Sequence, residues 1–223
     1  MEVIRVCILA AGQSRRMGQN KLHLPWQRQR TLLEQALCTY KEGCQKALET
    51  MERAVRFQYV AVVAQGDRKA QEVAGTYGYQ LVLNTQIDLG QSYSLRLAIE
   101  EATPGTVGFL IGLADQPMLQ SLTVARAVQD FMQVRRKNKE PNKTIIRSVF
   151  GPDRQLGHPL LMGVYWKSLL KQIEGDKGAR HLLQEAGAPY IHYCQGLTEE
   201  GIDLDSPATY TYWLSLRQSR RHT

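Results

Sequence analysis

Two kinds of pattern alternate along the chain: short apolar runs, and longer stretches in which apolar positions recur every three or four residues. Val3 to Ala10 is a run of the first kind, with β-branched Val3, Ile4, Val6 and Ile8. A segment so short and so apolar suits a strand buried on both faces better than a helix. Tyr59 to Ala64 and Tyr79 to Leu83 repeat the pattern, and Gly108 to Ala114 is the most apolar run of all. Between the first two, Leu32, Leu33, Ala36, Leu37 and Tyr40 fall at helical spacing. They predict a helix from about Leu32 to about Glu52, N-capped by Thr31 with Glu34 as its acidic third residue and weakened at Gly43. Asp67 reads as the cap of a second helix, about Arg68 to Tyr77, which Gly78 stops. Leu95, Ala98, Ile99 and Ala102 form the buried face of a third, and a fourth covers about Ser121 to Lys137.

The order β-α-β-α-β implies parallel strands joined by right-handed crossovers. The expected fold class is therefore α/β: a three-layer, Rossmann-like, mostly parallel sheet with helices on both faces. After a charged stretch at residues 137–143, strand character returns at Thr144 to Ser148 and Leu160 to Val164. Tyr190 to Cys194 reads as an edge strand. Ser206 and Pro207 start a last helix anchored by Tyr210, Trp213, Leu214 and Leu216. No linker-like stretch interrupts the chain, so residues 1–223 read as a single domain with 217–223 as a frayed tail.

Composition narrows the function. Of 223 residues 43% are hydrophobic, enough for a sizeable core, and the formal charge is +7, which suits an anionic small substrate. Nucleic-acid binding needs a basic stripe interleaved with stacking aromatics, and neither is present. The four cysteines, Cys7, Cys38, Cys44 and Cys194, show no metal-ligand spacing and read as reduced thiols of a cytoplasmic protein. No signal-like or membrane-spanning segment is apparent, so a soluble protein is expected.

The chemistry concentrates after the first run. Gly12 ends it, and the polar segment that follows carries Arg15, Arg16, Gly18 and Lys21. Backbone amides and cations gathered at the end of a strand make a receptor for phosphate. This loop is neither a dinucleotide fingerprint, because Gln13 and Ser14 follow Gly12, nor a Walker loop, because Gln19 follows Gly18. At the tip of the most apolar run stands Asp115. A carboxylate there is costly unless paired or bound to a cation; the alternative is a cap for the following helix. Asn84 ends another strand, where ligands bind in open α/β sheets, or it merely starts a turn. His23, a lone histidine among apolar neighbours, reads as a packing or surface residue.

Leu9-Ala10-Ala11-Gly12-Gln13-Ser14-Arg15-Arg16-Met17-Gly18-Gln19-Asn20-Lys21 matches LAAGxSxRMGxxK, and so resembles the signature of the MobA-like nucleotidyltransferases, most closely the molybdenum cofactor cytidylyltransferase branch. Asn84, Gly90 and Ser94 match that family's segment beside the base and ribose. Asp115-Gln116-Pro117 matches its metal-binding GDxP element, with Ala114 in place of the glycine. Gly157-His158-Pro159 and Gly175-Asp-Lys-Gly-Ala-Arg180 match elements on the acceptor side, and Asp203-Leu-Asp205-Ser-Pro207 matches the D-[IV]-D-T-P preceding the last helix. The resemblance implies a fold like that of nucleotide-diphospho-sugar transferases and transfer of CMP from CTP to the terminal phosphate of molybdopterin, with Mg2+, for xanthine-dehydrogenase-type enzymes. Leu9, Ala10, Ala11, Gly12, Ser14, Arg15, Gly18 and Lys21, with Asn84, Gly90 and Ser94, would bind nucleotide. Arg16, Lys21 and Asp115 would be catalytic, and Asp115 and Asp205 would hold the metal while Asp203 ties down its loop. His158, Lys177 and Arg180 would face the acceptor, although His158 serves equally as a turn histidine and residues 175–180 as a structural turn. The alternatives are guanylyl or other nucleotidyl transfer on the same fold, or a non-catalytic carrier of the cofactor.

Overall fold

The structure, a computed structural model, describes residues 1–27, 29–51, 55–172, 183–184 and 186–219, with backbone alone at Arg15 and 217–219. Seven strands, β1 (Glu2–Ala10), β2 (Val55–Ala64), β3 (Gln80–Asn84), β4 (Thr106–Leu113), β5 (Ile145–Phe150), β6 (Gln155–Gly163) and β7 (Ile191–Gly196), form one sheet ordered β3-β2-β1-β4-β6-β5-β7. β1 pairs in parallel with β2 and β4, β2 with β3, and β5 with β7. Only β6 runs against its neighbours. The helices are α1 (Leu32–Thr50), α2 (Arg68–Thr76), α3 (Gln91–Glu100), α4 (Ser121–Lys137), the short α5 (Lys167–Leu170) and α6 (Pro207–Ser219).

β1 shows why the opening run is apolar at nearly every position. Ile4, Val6, Ile8 and Ala10 enter one core with Leu33, Leu37 and Tyr40 of α1 and Val124, Val128 and Phe131 of α4. Cys7 and Leu9 enter the other with Leu95 and Ile99 of α3 and with Trp166 and Leu170. Period-2 alternation serves two layers at once, and the one charged residue inside the strand, Arg5, is fully buried with its Nε donating to the Ala98 carbonyl at 2.6 Å. A smaller cluster of Trp26, Leu32, Met118 and Leu204 seats Tyr210 and Trp213 of α6 beside the loops at the strands' carboxyl ends.

Local signals set the helix limits. Thr31 and Glu34 form a reciprocal capping box at α1, Asp67 accepts from the Ala70 amide at α2, and the Thr209 amide donates to Ser206 at α6. Gly78, at φ 70°, follows the end of α2. α6 continues to Ser219, so its backbone includes the first residues of the expected tail. Two strands extend well beyond the pattern, each starting several residues earlier than predicted. β2 starts at Val55 because its lower half carries polar Arg56 and Gln58, and the outer half of β6, Gln155 to His158, is too polar to read as a strand. At the cis His158–Pro159 bond the β5–β6 register shifts from Arg147↔Leu160 to Ser148↔Gly157. Among the described residues no helix is long and apolar enough to cross a membrane.

Two glycines are explained by neighbouring side chains. A Cβ on Gly112 would enter the Tyr40 ring, so this glycine admits α1 to the end of β4. Gly43 lies where α1 crosses α4; a Cβ there would stand 2.5 Å from the Val124 Cβ and 2.6 Å from the Ser121 carbonyl oxygen. Gly43→Ala sets a gain in helix propensity of up to ~1 kcal/mol against overpacking of about 1–3 kcal/mol. Because one clashing atom is backbone, overpacking wins, and the urea midpoint should fall with an unchanged m-value. A raised midpoint would show that α4 yields.

Candidate active site

A cleft of about 360 Å³ opens at the carboxyl ends of β1 and β4, beside the start of α3. Leu9, Ala10, Ala11, Gly12, Ser14, Lys21, Gly90, Ser94 and Asp115 line it, together with Gln13, Leu22, Ile87, Asp88, Gln91 and Leu113. The first loop turns at Ser14 (φ 49°) into a 3-10 turn, Arg15–Met17, that Gly18 closes at φ 65°, a conformation glycine adopts without strain. The Lys21 amide donates to Ser14 Oγ at 3.1 Å, folding the loop back on itself. Gly12 differs from Gly18. It has no positive φ, and a Cβ there would meet nothing within 4 Å, so neither backbone strain nor packing in the fold demands glycine at this position. Across the cleft, Gly90 (φ 79°) starts α3, whose Gln91 and Ser94 present a helix N-terminus favourable to anions. Gln13 Nε2 donates to Asp88 Oδ1 at 2.6 Å and clasps the two rims together.

The charged centre is Lys21. Its ammonium, on a side chain 8% exposed, lies 2.6 Å from Asp115 Oδ2 and 2.5 Å from Asp205 Oδ1. Burial pulls the Lys21 pKa down, but Asp115 and then Asp205 outweigh it and hold the group above its ordinary value. Asp115 caps no helix: α4 has Gln120 at its N-cap, without a side-chain bond. Asp115 Oδ1 is buried without a hydrogen-bond partner. Asp203 has a different partner, accepting from Gln116 Nε2 at 2.8 Å. Burial, reinforced by the Asp115 carboxylate, pushes Asp203 up to about 6. The Leu204 amide donates to the Asp115 carbonyl at 3.1 Å, so the two acidic segments are tied through backbone as well.

This donor set suits a hard divalent cation. Two carboxylates converge on one positive charge, and an orphaned buried oxygen stands beside them. Among the described residues no group of three or more His, Cys, Asp or Glu is arranged to hold a metal. Two carboxylates completed by phosphate oxygens and water is the usual arrangement for Mg2+ at a nucleotide.

Other predicted residues lie further out. Asn84 is buried behind the cleft wall, donating to Ser94 Oγ at 2.9 Å and accepting from the Gln86 amide at 2.8 Å, so it orients Ser94 and the turn. Arg16 is exposed on the 3-10 turn. The Arg15 side chain and Lys177 and Arg180, with the rest of the 175–180 element, lie outside the described residues. His158 sits on β6 two positions before Leu160, which faces Ile111 of β4. Burial, then the Arg147 charge, lowers its pKa to about 4, so at neutral pH it is an uncharged hydrogen-bonding group.

One functional residue escaped the sequence. Asp67, which reads only as a cap, also accepts from Asn20 Nδ2 at 2.6 Å and meets His23 Nε2 at 2.8 Å. Asn20 and His23 flank Lys21, so this carboxylate clamps the lysine's backbone from both sides. His23, read from the sequence as a packing or surface residue, is engaged in this hydrogen bond to Asp67. No local signal exposes this pairing, because its partners lie 47 and 44 residues apart.

Sheet order, the loop after β1 and the paired carboxylates make an α/β fold with an acidic, lysine-bearing cleft at the carboxyl ends of its strands. The chain belongs to the MobA-like NTP transferase domain family, whose profile it matches over residues 6–190. No curated protein is matched in sequence. Among solved structures, Rv0371c of Mycobacterium tuberculosis H37Rv superposes with a TM-score of 0.72 at 22% identity, covering 95% of this chain and 97% of that one. A complex of the same protein with manganese gives 0.68 at 20%, with the same coverage. A nucleotidyl transferase from Methanothermobacter gives 0.70 at 18%, covering 96% and 98%. Molybdopterin-guanine dinucleotide biosynthesis protein A from Archaeoglobus fulgidus gives 0.53 at 12%, covering 96% and 99%. At these identities the likeness speaks for the fold.

Two predictions follow from the geometry. Asp67→Ser keeps a capping oxygen for α2 but breaks the clamp. Thermal stability should change little, while nucleotide affinity should fall on the order of tenfold, as for other residues that orient a site's ligands. Unchanged affinity, measured by calorimetry, would remove Asp67 from the site. The second concerns pH. His158 is protonated below about 6.5 in the unfolded chain but only near about 4 in the folded one. Its contribution is therefore complete above 6.5 and drains away as pH falls towards 4, by on the order of 3 kcal/mol. Asp203, pushed upward, acts in the opposite sense, so the measurement is the difference between wild type and His158→Asn in urea unfolding at pH 7 and 4.5. That difference should shrink at the lower pH; a constant difference would show that His158 is not held neutral.

Proposed function

We propose that this nucleotidyltransferase moves CMP from CTP to the terminal phosphate of a molybdopterin-type acceptor in the cytoplasm, preparing the cofactor for xanthine-dehydrogenase-type enzymes. The observation that carries the reading is the meeting of Lys21, Asp115 and Asp205 at the end of a cleft walled by the Leu9 to Ser14 backbone. Phosphoryl transfer asks a protein for charge neutralisation and in-line placement more than for covalent chemistry. The loop from Gly12 to Gly18 offers amides to the triphosphate, and Lys21 and Arg16 offset charge on its oxygens. Gly90 and Ser94, held by Asn84, form the wall for ribose and base. Asp115 and Asp205 are the residues that would hold Mg2+, which would supply positive charge to the phosphates and Lewis-acid activation of the α-phosphorus. An oxygen of the acceptor phosphate attacks that phosphorus, the bond to the β-phosphate bridging oxygen breaks, and pyrophosphate leaves with the electron pair. The attacking oxygen is already anionic, so no general base is required, and none of the residues is assigned as one. His158, as a neutral hydrogen-bonding group, with Lys177 and Arg180, is assigned to the acceptor phosphate.

The choice of base rests on Ala11, a buried residue of the cleft wall whose methyl would crowd a purine more than a pyrimidine. The acceptor rests on the family resemblance and on the molybdopterin-related neighbour. The test is incubation with molybdopterin and α-labelled CTP or GTP, following labelled product and pyrophosphate. CTP should be used roughly tenfold better or more, the scale on which pocket shape discriminates. Equal or better use of GTP overturns the base assignment. Cofactor binding without pyrophosphate release would mark a carrier instead.

A further inference from the structure

We propose that Lys21 is the protein's own counter-ion for the metal carboxylates, occupying the cation position between Asp115 and Asp205 and yielding it when a nucleoside triphosphate draws the ammonium away. The inference rests on the assignment of those carboxylates to the metal and adds to it a coupling between metal and nucleotide. The ammonium lies 2.6 Å from Asp115 Oδ2 and 2.5 Å from Asp205 Oδ1. A divalent ion bound at about 2.1 Å to the same oxygens would overlap it and be repelled by its charge. Lysine and metal therefore compete for one position.

The surroundings make the competition reversible. The backbone of Lys21 is fixed, by its amide to Ser14 Oγ at 3.1 Å and by Asn20 and His23 on Asp67, so only the flexible stem has to move. The side chain lines the same cleft as Gly12 and Ser14, so a triphosphate seated on the loop presents acceptors within its sweep. The lock is also incomplete, because the ammonium engages one Asp115 oxygen and leaves buried Oδ1 without a partner. Once phosphate takes the lysine, both carboxylates are released to the metal. Metal binding then lowers the cost of drawing the lysine away, and by linkage each ligand strengthens the other equally.

The experiment is Mn2+ binding to the full chain without nucleotide, read from the electron paramagnetic resonance of free Mn2+. Lys21→Gln and Lys21→Met, which remove the competing charge, should bind Mn2+ roughly ten- to a hundredfold more tightly than wild type, although both should lose transferase activity. Lys21→Arg keeps a cation in place and should bind as weakly as wild type. Mn2+ affinity in both uncharged variants within about threefold of wild type, on the scale of a modest electrostatic perturbation, overturns the counter-ion role. Adding Asp115→Asn to Lys21→Gln should abolish the gained affinity. If it survives, the metal assignment of Asp115 fails, and the counter-ion role with it. Two uncharged variants guard against one that does not fold, with circular dichroism as the check.

Discussion

One ion pair gathers the parts of this molecule that matter for function. The Lys21 ammonium joins segments 94 and 184 residues apart, and its own side chain is largely buried where it does so. An ammonium so largely removed from water opposes folding unless carboxylates satisfy it, and here Asp115 and the half-exposed Asp205 do so. Their meeting therefore presupposes everything that delivers them: a parallel sheet that ends β1 and β4 on the same edge, a loop that turns back at Ser14 and Gly18, and a returning segment that lays Asp205 against Asp115. Remove any of these and a charge is stranded.

The two cores divide the work of holding that edge. On one face, α1 and α4 cross closely enough to require Gly43, and Tyr40 enters the space left by Gly112 three residues before Asp115. This face is rigid support under the acidic side. The opposite face carries α3, whose N-terminus forms the far wall of the cleft and whose Leu95 and Ile99 anchor it to the sheet. Polar cross-links then trim the loops. Gln13 clasps Asp88, Gln116 holds Asp203, and Asp67 clamps Asn20 and His23 on either side of Lys21.

What the amino-acid order reveals follows from how local each signal is. β1 and β4 are legible because strands buried on both faces must be apolar throughout. α1 and α4 are legible because their apolar stripes repeat over many turns, and α1 also announces its start with Thr31 and Glu34. Lys21 and Asp115 stand out because a loop after a strand and a carboxylate at a strand's tip are local anomalies. The outer half of β6 stays hidden, since Gln155 to Gly157 pair with a neighbour that only the fold supplies. The same holds for Asp67 beyond its capping role, and for Asn84, whose place at a strand's end is plain but whose side chain is directed to Ser94. Pairings between polar side chains far apart in sequence leave no periodicity to read.

The reversed direction of β6 has an architectural outcome. Because it runs against β4 and β5, its start and the hairpin at residues 151–154 stand on the same edge as the loop that ends β1, instead of at the opposite pole. Gln155 reaches the Gly201 carbonyl, linking this hairpin to the turn that precedes Asp203 and Asp205. Insertions at that tip would reshape the approach for incoming molecules while leaving the framework around Gly12 untouched.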